Sequence, residues 1–224
     1  SLIANGDNYQ RLLFLLGKNM PRDKSLSHIR VNKAMMEEFL EKGYEAASIR
    51  SIGARAGMTS AGLYRHYADK EAMFAALVDP LVDDIKNWTR RHTEKKYDLL
   101  DDNAKKNDLF NESFIDLVRD IIIPQRDEFT LLMTCSAGTK YENFIHDYAR
   151  DNQKEFLEAI EYMKKKGYKV IDVDEDELHM LLSAYLTACF EPIIHGVSEE
   201  KIDKYLNTVQ EFFMPGWLRI MGVN

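Results

Sequence analysis

The side chains best suited to chemistry in this sequence lie close together between residues 59 and 70. Ser60, Ala61 and Gly62 are three consecutive small residues, so a helix that carries them lets its backbone approach the edges of bases. They are followed by groups that can donate hydrogen bonds to bases or phosphates, namely Tyr64, Arg65, His66 and Lys70. This set of residues predicts contact with a nucleic acid rather than covalent catalysis.

Other kinds of chemistry are not indicated by the sequence. The six histidines show no i, i+4 pair and no His-Glu-x-x-His pattern, so a metal site is not predicted. Cys135 and Cys189 lie far apart without metal-ligand spacing, and we interpret both as small buried hydrophobic residues. No nucleophile elbow or phosphate-binding glycine loop is found. We therefore expect a protein that is not an enzyme, with no catalytic residue, no cofactor and no metal.

Two short helices are expected to position the polar cluster. The first is predicted to begin after Ser48 and to end at Gly57, and the second to begin after Thr59. The glycine permits a tight turn, and small residues allow the two helices to cross closely. In this arrangement the second helix projects toward a DNA major groove. Thr59 is also predicted to contact DNA, and Tyr67 is left open between packing against the body and contact with DNA.

The spacing of these residues resembles the signature of the TetR family of transcriptional regulators, over about fifty residues and close to a quarter of the chain. The positions that carry the resemblance are Phe39, Gly43, Tyr44, Ser48, Ile52, Ala56, Gly57, Met58, Thr59, Leu63, Tyr64, Arg65, His66, Tyr67 and Lys70. The resemblance implies an N-terminal helix-turn-helix domain that binds operator DNA.

The resemblance also implies roles for individual positions. Those that approach bases are Arg50, Ser60, Ala61 and Tyr64, and those that touch phosphate are Gly62, Arg65, His66 and Lys70. Gly53 departs from the family pattern, which usually has alanine, and this glycine should cost the helix up to about 1 kcal/mol in propensity. Gly62, often a threonine or a larger residue in the family, removes one side-chain contact.

Composition and charge agree with a folded regulator. The chain has 224 residues, of which 45% are hydrophobic and 30% charged, so it can bury a core without disulfides. Residues 1–79 hold 11 basic and 9 acidic side chains, whereas residues 80–224 hold 19 and 28, which divides the net charge of -7 into +2 and -9. The apolar run near the start of the sequence, Leu12–Leu16, is shorter than a signal-peptide core, and no apolar run approaches the length of a membrane span. We therefore expect a cytoplasmic protein.

Helical periodicity dominates the chain, and only Tyr168–Val173 hints at a strand. We expect an all-α fold in which a helix-turn-helix DNA-binding domain, residues 29–79, precedes a larger helical domain for effector binding and dimerisation, residues 80–224. Residues 1–28 form an arm that either enters a minor groove or is disordered.

Capping residues and helix breakers set the expected helix bounds. The helices are predicted at about 28–42, 48–57, 59–67, 70–95 with a kink near Pro80, 109–123, 125–136, 141–166, 174–195, and from 198 to a bend or stop at Pro215.

The last two helices are predicted to form the interface of a two-fold dimer, because their apolar stripes are wider than one small core needs. The alternative is that a stripe covers only its own domain. The predicted interface residues are Leu178, Leu182, Tyr185, Leu186, Cys189, Ile202, Leu206, Val209, Phe212 and Phe213.

A pocket for a mostly hydrophobic effector, either neutral or positively charged, is predicted between the long middle helices. Its lining is taken from large or flexible side chains and one acidic residue, namely Trp88, Phe110, Phe114, Met133, Phe144, Tyr148 and Glu191. Asp147 and Glu191 stand in apolar stretches, where a charge needs a partner. The alternative function is a DNA-binding protein that responds to a protein partner or to no small molecule.

Overall fold

The computed structural model describes residues 24–101 and 114–223, and all regular structure in those ranges is helical. The helices are α1 Lys24–Ala46, α2 Ile49–Ala56, α3 Ser60–Leu63, α4 Lys70–Asp101, α5 Phe114–Leu117, α6 Arg126–Thr134, α7 Phe144–Lys165, α8 Glu175–Ile194 and α9 Glu199–Ile220. A π-helical turn, Val118–Ile122, and a 3-10 turn, Ile123–Gln125, join α5 to α6. The predicted all-α class is confirmed. Of the predicted arm, residues 1–23 lie outside the described residues, and 24–28 belong to α1.

Helix α1 is amphipathic and buries the face that its sequence predicts. Val31, Ala34, Met35 and Phe39 are all buried, at spacings of three and four residues. The chain leaves regular helical geometry at Gly43, whose φ of 73° is in the left-handed region that favours glycine. This change of direction lets the following residues turn toward α2.

Helix α4 runs through the predicted domain boundary at residues 79 and 80. Its first turn is capped as predicted by Asp69, whose Oδ1 accepts a hydrogen bond of 2.7 Å from the Ala72 N–H. Pro80 lies inside the helix, which continues to Asp101. The two parts of the chain therefore share one continuous helix, and their division into domains stays a proposal.

An aromatic cluster joins α1 and α4 to the segment before α7. The ring of Phe74 on α4 lies 5.2 Å from Phe39, 5.5 Å from Tyr44 and 6.0 Å from Tyr141, measured between ring centroids. Beside the cluster, the Tyr44 N–H donates a 2.9 Å hydrogen bond to the carbonyl of Cys135. These contacts attach the N-terminal helices to the larger helical part.

The later helices follow the predicted signals at their starts better than at their ends. Helix α8 begins with the predicted capping box of Asp174 and Glu177. Helix α9 continues through Pro215 to Ile220, and the buried Trp217 holds the turn that follows the proline. Residues 168–173 form no strand, although the Ile171 N–H bonds to the Ile220 carbonyl.

The apolar stripes of α8 and α9 face the interior of the chain itself. Eight of the ten predicted interface residues are buried, and these are Leu178, Leu182, Tyr185, Leu186, Cys189, Ile202, Leu206 and Val209. Phe213 is half-buried, and Phe212 is 77% exposed. Helical periodicity shows that a face is apolar but not which neighbour covers it, so the predicted interface list stays a prediction. The large apolar side chains exposed on these helices are Met180, Leu181, Tyr205 and Phe212.

Helix α6 connects this region to α1. At its start, the guanidinium of Arg126 donates hydrogen bonds to the carbonyls of Ile193 (3.2 Å) and Val197 (2.8 Å). A cation is favourable there, because the end of α8 carries the negative pole of the helix dipole. Cys135 follows the last residue of α6, and its carbonyl accepts a hydrogen bond from the Tyr44 N–H.

None of the described helices is both long and apolar enough to cross a membrane.

Candidate nucleic-acid interface

The turn between α2 and α3 has the geometry expected of a helix-turn-helix. Gly57 adopts φ 67° and ψ 34°, a left-handed conformation that ends α2. The Gly57 N–H bonds to the Ala54 carbonyl at 3.2 Å, and the Met58 N–H bonds to the Gly53 carbonyl at 2.8 Å. The chain therefore changes direction within three residues and enters α3 directly.

Gly53 is required by the closeness of this turn. A Cβ atom built at Gly53 would lie 2.8 Å from the Met58 carbonyl oxygen, which is backbone and cannot move aside freely. From its residue type alone, this glycine is expected to lower the helix propensity of α2. In the structure it allows the turn to pack closely against α2, where a larger residue would collide with the backbone.

Helix α3 is short, and two contacts fix its position. The side chain of Thr59 accepts a 3.1 Å hydrogen bond from the Gly62 N–H, which confirms its predicted role as the cap. Leu63 is fully buried, so it anchors the inner face of α3. The residues from Tyr64 to His66 continue as a turn rather than as helix. The N-terminal turn of α3 is therefore held firmly while its outer face stays open.

Most of the residues predicted to meet DNA lie at the surface. Arg50, Ala61, Arg65 and His66 are exposed, and Tyr64 is 51% exposed. Thr59 is also exposed, whereas Ser60 and Gly62 are half-buried. An exposed aromatic ring between small and cationic residues can reach base edges as well as phosphates.

A groove of about 680 Å³ lies between the start of α1 and the α3 region. Arg65 and His66 line one side of it, and His28 and Arg30 line the other. The imidazole rings of His28 and His66 meet edge to face with centroids 5.4 Å apart. Sequence reasoning missed the α1 side of this groove. The signal was the pair of polar residues just before the buried face of α1 begins.

Two predicted contacts, Tyr67 and Lys70, are tied to the protein itself. Tyr67 is half-buried, and its hydroxyl donates to Asn32 Oδ1 at 3.3 Å. The ammonium of Lys70 donates to the carbonyls of Glu45 (3.0 Å) and Ala47 (3.3 Å) and lies 4.5 Å from the centre of the Tyr44 ring. The ammonium is a threefold donor, so one donor is left for a phosphate.

A buried carboxylate lies beneath this surface. Among the described residues, Glu38 is the only acidic or basic side chain that is fully buried. Its Oε1 accepts from the Lys42 ammonium (2.9 Å) and the Ser48 N–H (3.2 Å), and its Oε2 accepts from the Ser51 hydroxyl (2.6 Å). Arg55 Nε lies 3.2 Å from Oε2. Burial alone would raise the pKa of Glu38, but the hydrogen bonds from Ser51, Lys42 and the Ser48 N–H lower it to about 2.

The residues predicted to form the effector pocket divide into two groups. Trp88, Phe114, Phe144 and Tyr148 form one aromatic cluster, with centroid distances of 6.3 Å for Trp88–Phe114, 5.9 Å for Phe114–Tyr148 and 5.8 Å for Phe144–Tyr148. Phe144 and Tyr148 also line a groove of about 960 Å³ between α4 and α7. Phe110 lies outside the described residues.

The other predicted pocket residues lie elsewhere. Met133 on α6 is half-buried against the core and does not line the α4–α7 groove. Glu191 Oε2 lies 2.7 Å from His195 Nε2, and its side chain is 46% exposed. Asp147 is exposed and 3.8 Å from Arg150. The expectation that these carboxylates lie in an apolar environment is therefore corrected, because both reach solvent and each has a partner within the chain.

A family model for bacterial regulatory proteins of the tetR family matches residues 33–77. The transcriptional activator FasR of Mycolicibacterium smegmatis is 31% identical over 75 residues, which cover 34% of this chain and 33% of FasR. The repressor AcnR of Corynebacterium diphtheriae is 21% identical over 77% of this chain and 84% of AcnR. The repressor KstR2 of Mycobacterium tuberculosis is 27% identical over 64% of this chain and 70% of KstR2.

We predict that Gly53→Ala destabilises the protein by about 1–3 kcal/mol, because the added Cβ meets the Met58 carbonyl. The matched control is Gly216→Ala. Gly216 also lies inside a helix, but a Cβ built there has no neighbour within 4 Å, so alanine should stabilise by up to about 1 kcal/mol. Denaturant unfolding monitored by circular dichroism measures both. Equal stabilisation by the two substitutions would contradict the steric account.

Proposed function

This chain belongs to the TetR family of DNA-binding transcriptional regulators, and we propose that it is a homodimeric repressor of palindromic operators whose DNA affinity responds to a small, largely hydrophobic molecule. A cytoplasmic location is part of the proposal, because the protein must reach its target DNA. The observation that carries the proposal is the α2–α3 turn, which holds the first turn of α3 outward beside exposed cations.

The proposed DNA contacts come from three parts of the surface. Arg50 at the start of α2 and Tyr64 after α3 are exposed and suited to base edges. Arg65, His66 and the α1 residues across the 680 Å³ groove are suited to phosphates. Repression rather than activation is favoured because AcnR and KstR2, which match over most of their lengths, are both named repressors.

The proposed dimer interface is the exposed face of α8 and α9. Leu181 lies thirteen residues before the end of α8, and Phe212 lies thirteen residues after the start of α9. Because a four-residue connection places the two helices side by side, these residues lie at similar heights. Met180 is 62% exposed and Phe212 is 77% exposed, so pairing with a second copy would remove a substantial apolar area from water.

The proposed effector site is the groove between α4 and α7, together with the aromatic cluster that adjoins it through Phe144 and Tyr148. Aromatic faces with nearby carboxylates favour a hydrophobic ligand that carries a positive charge. The exposed carboxylates of the groove include Asp83 and Asp147. The groove also includes Asp79 and Tyr141, whose side chains are hydrogen-bonded to each other. Since the Tyr141 ring contacts Phe74, a ligand there can alter the junction with α1.

We predict that selection from random duplexes yields a palindrome whose affinity falls steeply as salt rises, because cations replace counterions on phosphate. Arg50→Ala should cost about 1–3 kcal/mol and relax preference at particular bases, while Arg65→Ala should weaken all duplexes alike. Lys201→Ala, an exposed site on α9, is the control. Gel-shift titrations measure these affinities. Failure to select any duplex, or an affinity that does not change with salt concentration, would refute the DNA-binding proposal.

We predict that Phe212→Glu converts the dimer to a monomer, because a charge is introduced into an apolar contact. Ile171→Glu is the control, since Ile171 is also a large exposed apolar residue but lies outside α8 and α9. Light scattering coupled to size exclusion gives the mass of each variant. A wild-type monomer would refute the proposed dimer, and a Phe212→Glu dimer would place the interface elsewhere.

We predict that hydrophobic and cationic aromatic compounds raise the melting temperature by binding the α4–α7 groove. For cationic compounds, Asp83→Asn combined with Asp147→Asn should weaken binding about tenfold, whereas neutral compounds should be unaffected. Asp120→Asn, an exposed site outside the groove, is the control. Calorimetric titration gives the affinities. If no compound binds, regulation by a protein partner becomes the better hypothesis.

A further inference from the structure

Helix α2 begins without the features that normally stabilise a helix start. The side chain of its N-cap residue, Ser48, makes no capping hydrogen bond, and the first turn contains no acidic residue. The first N–H groups of a helix have no partner within it, and together they form a positive pole. The start of α2 therefore requires an acceptor from another part of the chain.

Glu38 on α1 supplies that acceptor. One carboxylate oxygen accepts the Ser48 N–H at 3.2 Å, and the other accepts the Ser51 hydroxyl at 2.6 Å. Both donors stand at the beginning of α2, ten and thirteen residues along the chain from Glu38. A carboxylate on one helix thus acts as the cap of the next.

The charge of this cap is balanced by two cations. Lys42 Nζ is 2.9 Å from Oε1, and Arg55 Nε is 3.2 Å from Oε2, so each oxygen has two partners. A buried charge is costly, and a well-packed apolar group often gives equal stability. An apolar contact between α1 and α2 would, however, tolerate sliding, whereas directed hydrogen bonds fix one orientation.

We propose that Glu38 is a positioning residue for DNA recognition, whose buried carboxylate replaces the missing cap of α2 and sets the angle at which α2 and α3 leave α1. The proposal rests on the proposed DNA binding. Arg50 lies between Ser48 and Ser51 on the same first turn, so a shift of this turn moves Arg50 directly. It also moves α3, because only the three-residue turn at Gly57 separates the two helices.

The experiment compares Glu38→Gln with Glu41→Gln, using the duplex that the wild-type protein selects from a random library. Glu41 also pairs with Arg55 but makes no contact with Ser48 or Ser51, so it controls for release of the arginine. At a temperature where both variants are folded, Glu38→Gln should bind the operator about tenfold more weakly and lose preference over random duplex. Glu41→Gln should change affinity less than about twofold.

Two further comparisons separate positioning from general stability. Ser48→Asn supplies a side-chain cap and should restore most of the operator affinity in the Glu38→Gln background. If Glu38→Gln does not fold, Ser51→Ala replaces it, with Ser51→Thr retaining the hydroxyl and expected to restore binding. In the protein without DNA, hydrogen exchange of the α2 amides should be several-fold faster in Glu38→Gln than in Glu41→Gln.

The outcomes distinguish this inference from the proposed function. If the wild-type protein selects no duplex, the DNA-binding proposal fails, and hydrogen exchange alone still tests the capping role of Glu38. If the wild type binds and Glu38→Gln binds equally well, the positioning role is overturned. It is also overturned if Glu41→Gln loses as much affinity, or if neither Ser48→Asn nor the Ser51 pair changes binding as stated.

Discussion

The contact of the Phe74 ring with Phe39, Tyr44 and Tyr141 is the interaction on which the arrangement of the molecule depends. Phe74 lies on α4, the helix shared by the two parts of the chain, and is fully buried. The rings around it come from the end of α1 and from the segment before α7. Because three separate segments meet at one side chain, α1 cannot tilt without disturbing the larger helical part.

Polar groups add direction to this apolar contact. The hydrogen bond from the Tyr44 N–H to the Cys135 carbonyl fixes how far along α1 the larger part attaches. Earlier on α1, the carboxylate of Glu38 fixes the start of α2. Hydrophobic burial supplies most of the free energy that holds α1 against its neighbours. The hydrogen bonds select one geometry among those that burial alone would allow.

Local signals in the sequence predict local structure well. The glycine at 57, the caps at Thr59 and Asp69 and the box of Asp174 and Glu177 all have the roles that their residue types suggest. Each of these signals depends on neighbours within a few residues, so a single sequence contains the necessary information.

Features that depend on distant neighbours were not predictable in the same way. The stripes of α8 and α9 are apolar, but periodicity could not reveal that the chain itself covers them. Ser48 has the type of a cap, yet the acceptor is Glu38 on another helix. A clue existed, because Glu38 follows Ala34 and Met35 on the inward face of α1, where an acid needs partners.

The short helix α6 connects α1 to the turn between α8 and α9. It has nine residues, so it spans roughly 13 Å. Arg126 at its start donates hydrogen bonds to carbonyls at the end of α8 and in the turn that follows. The carbonyl of Cys135 at its end accepts a hydrogen bond from the Tyr44 N–H of α1. A path this short contains few torsions that can absorb displacement. Two chains paired through α8 and α9 would therefore hold their two α3 helices at a nearly constant separation. Such a dimer would tolerate little change in the number of base pairs between the two half-sites.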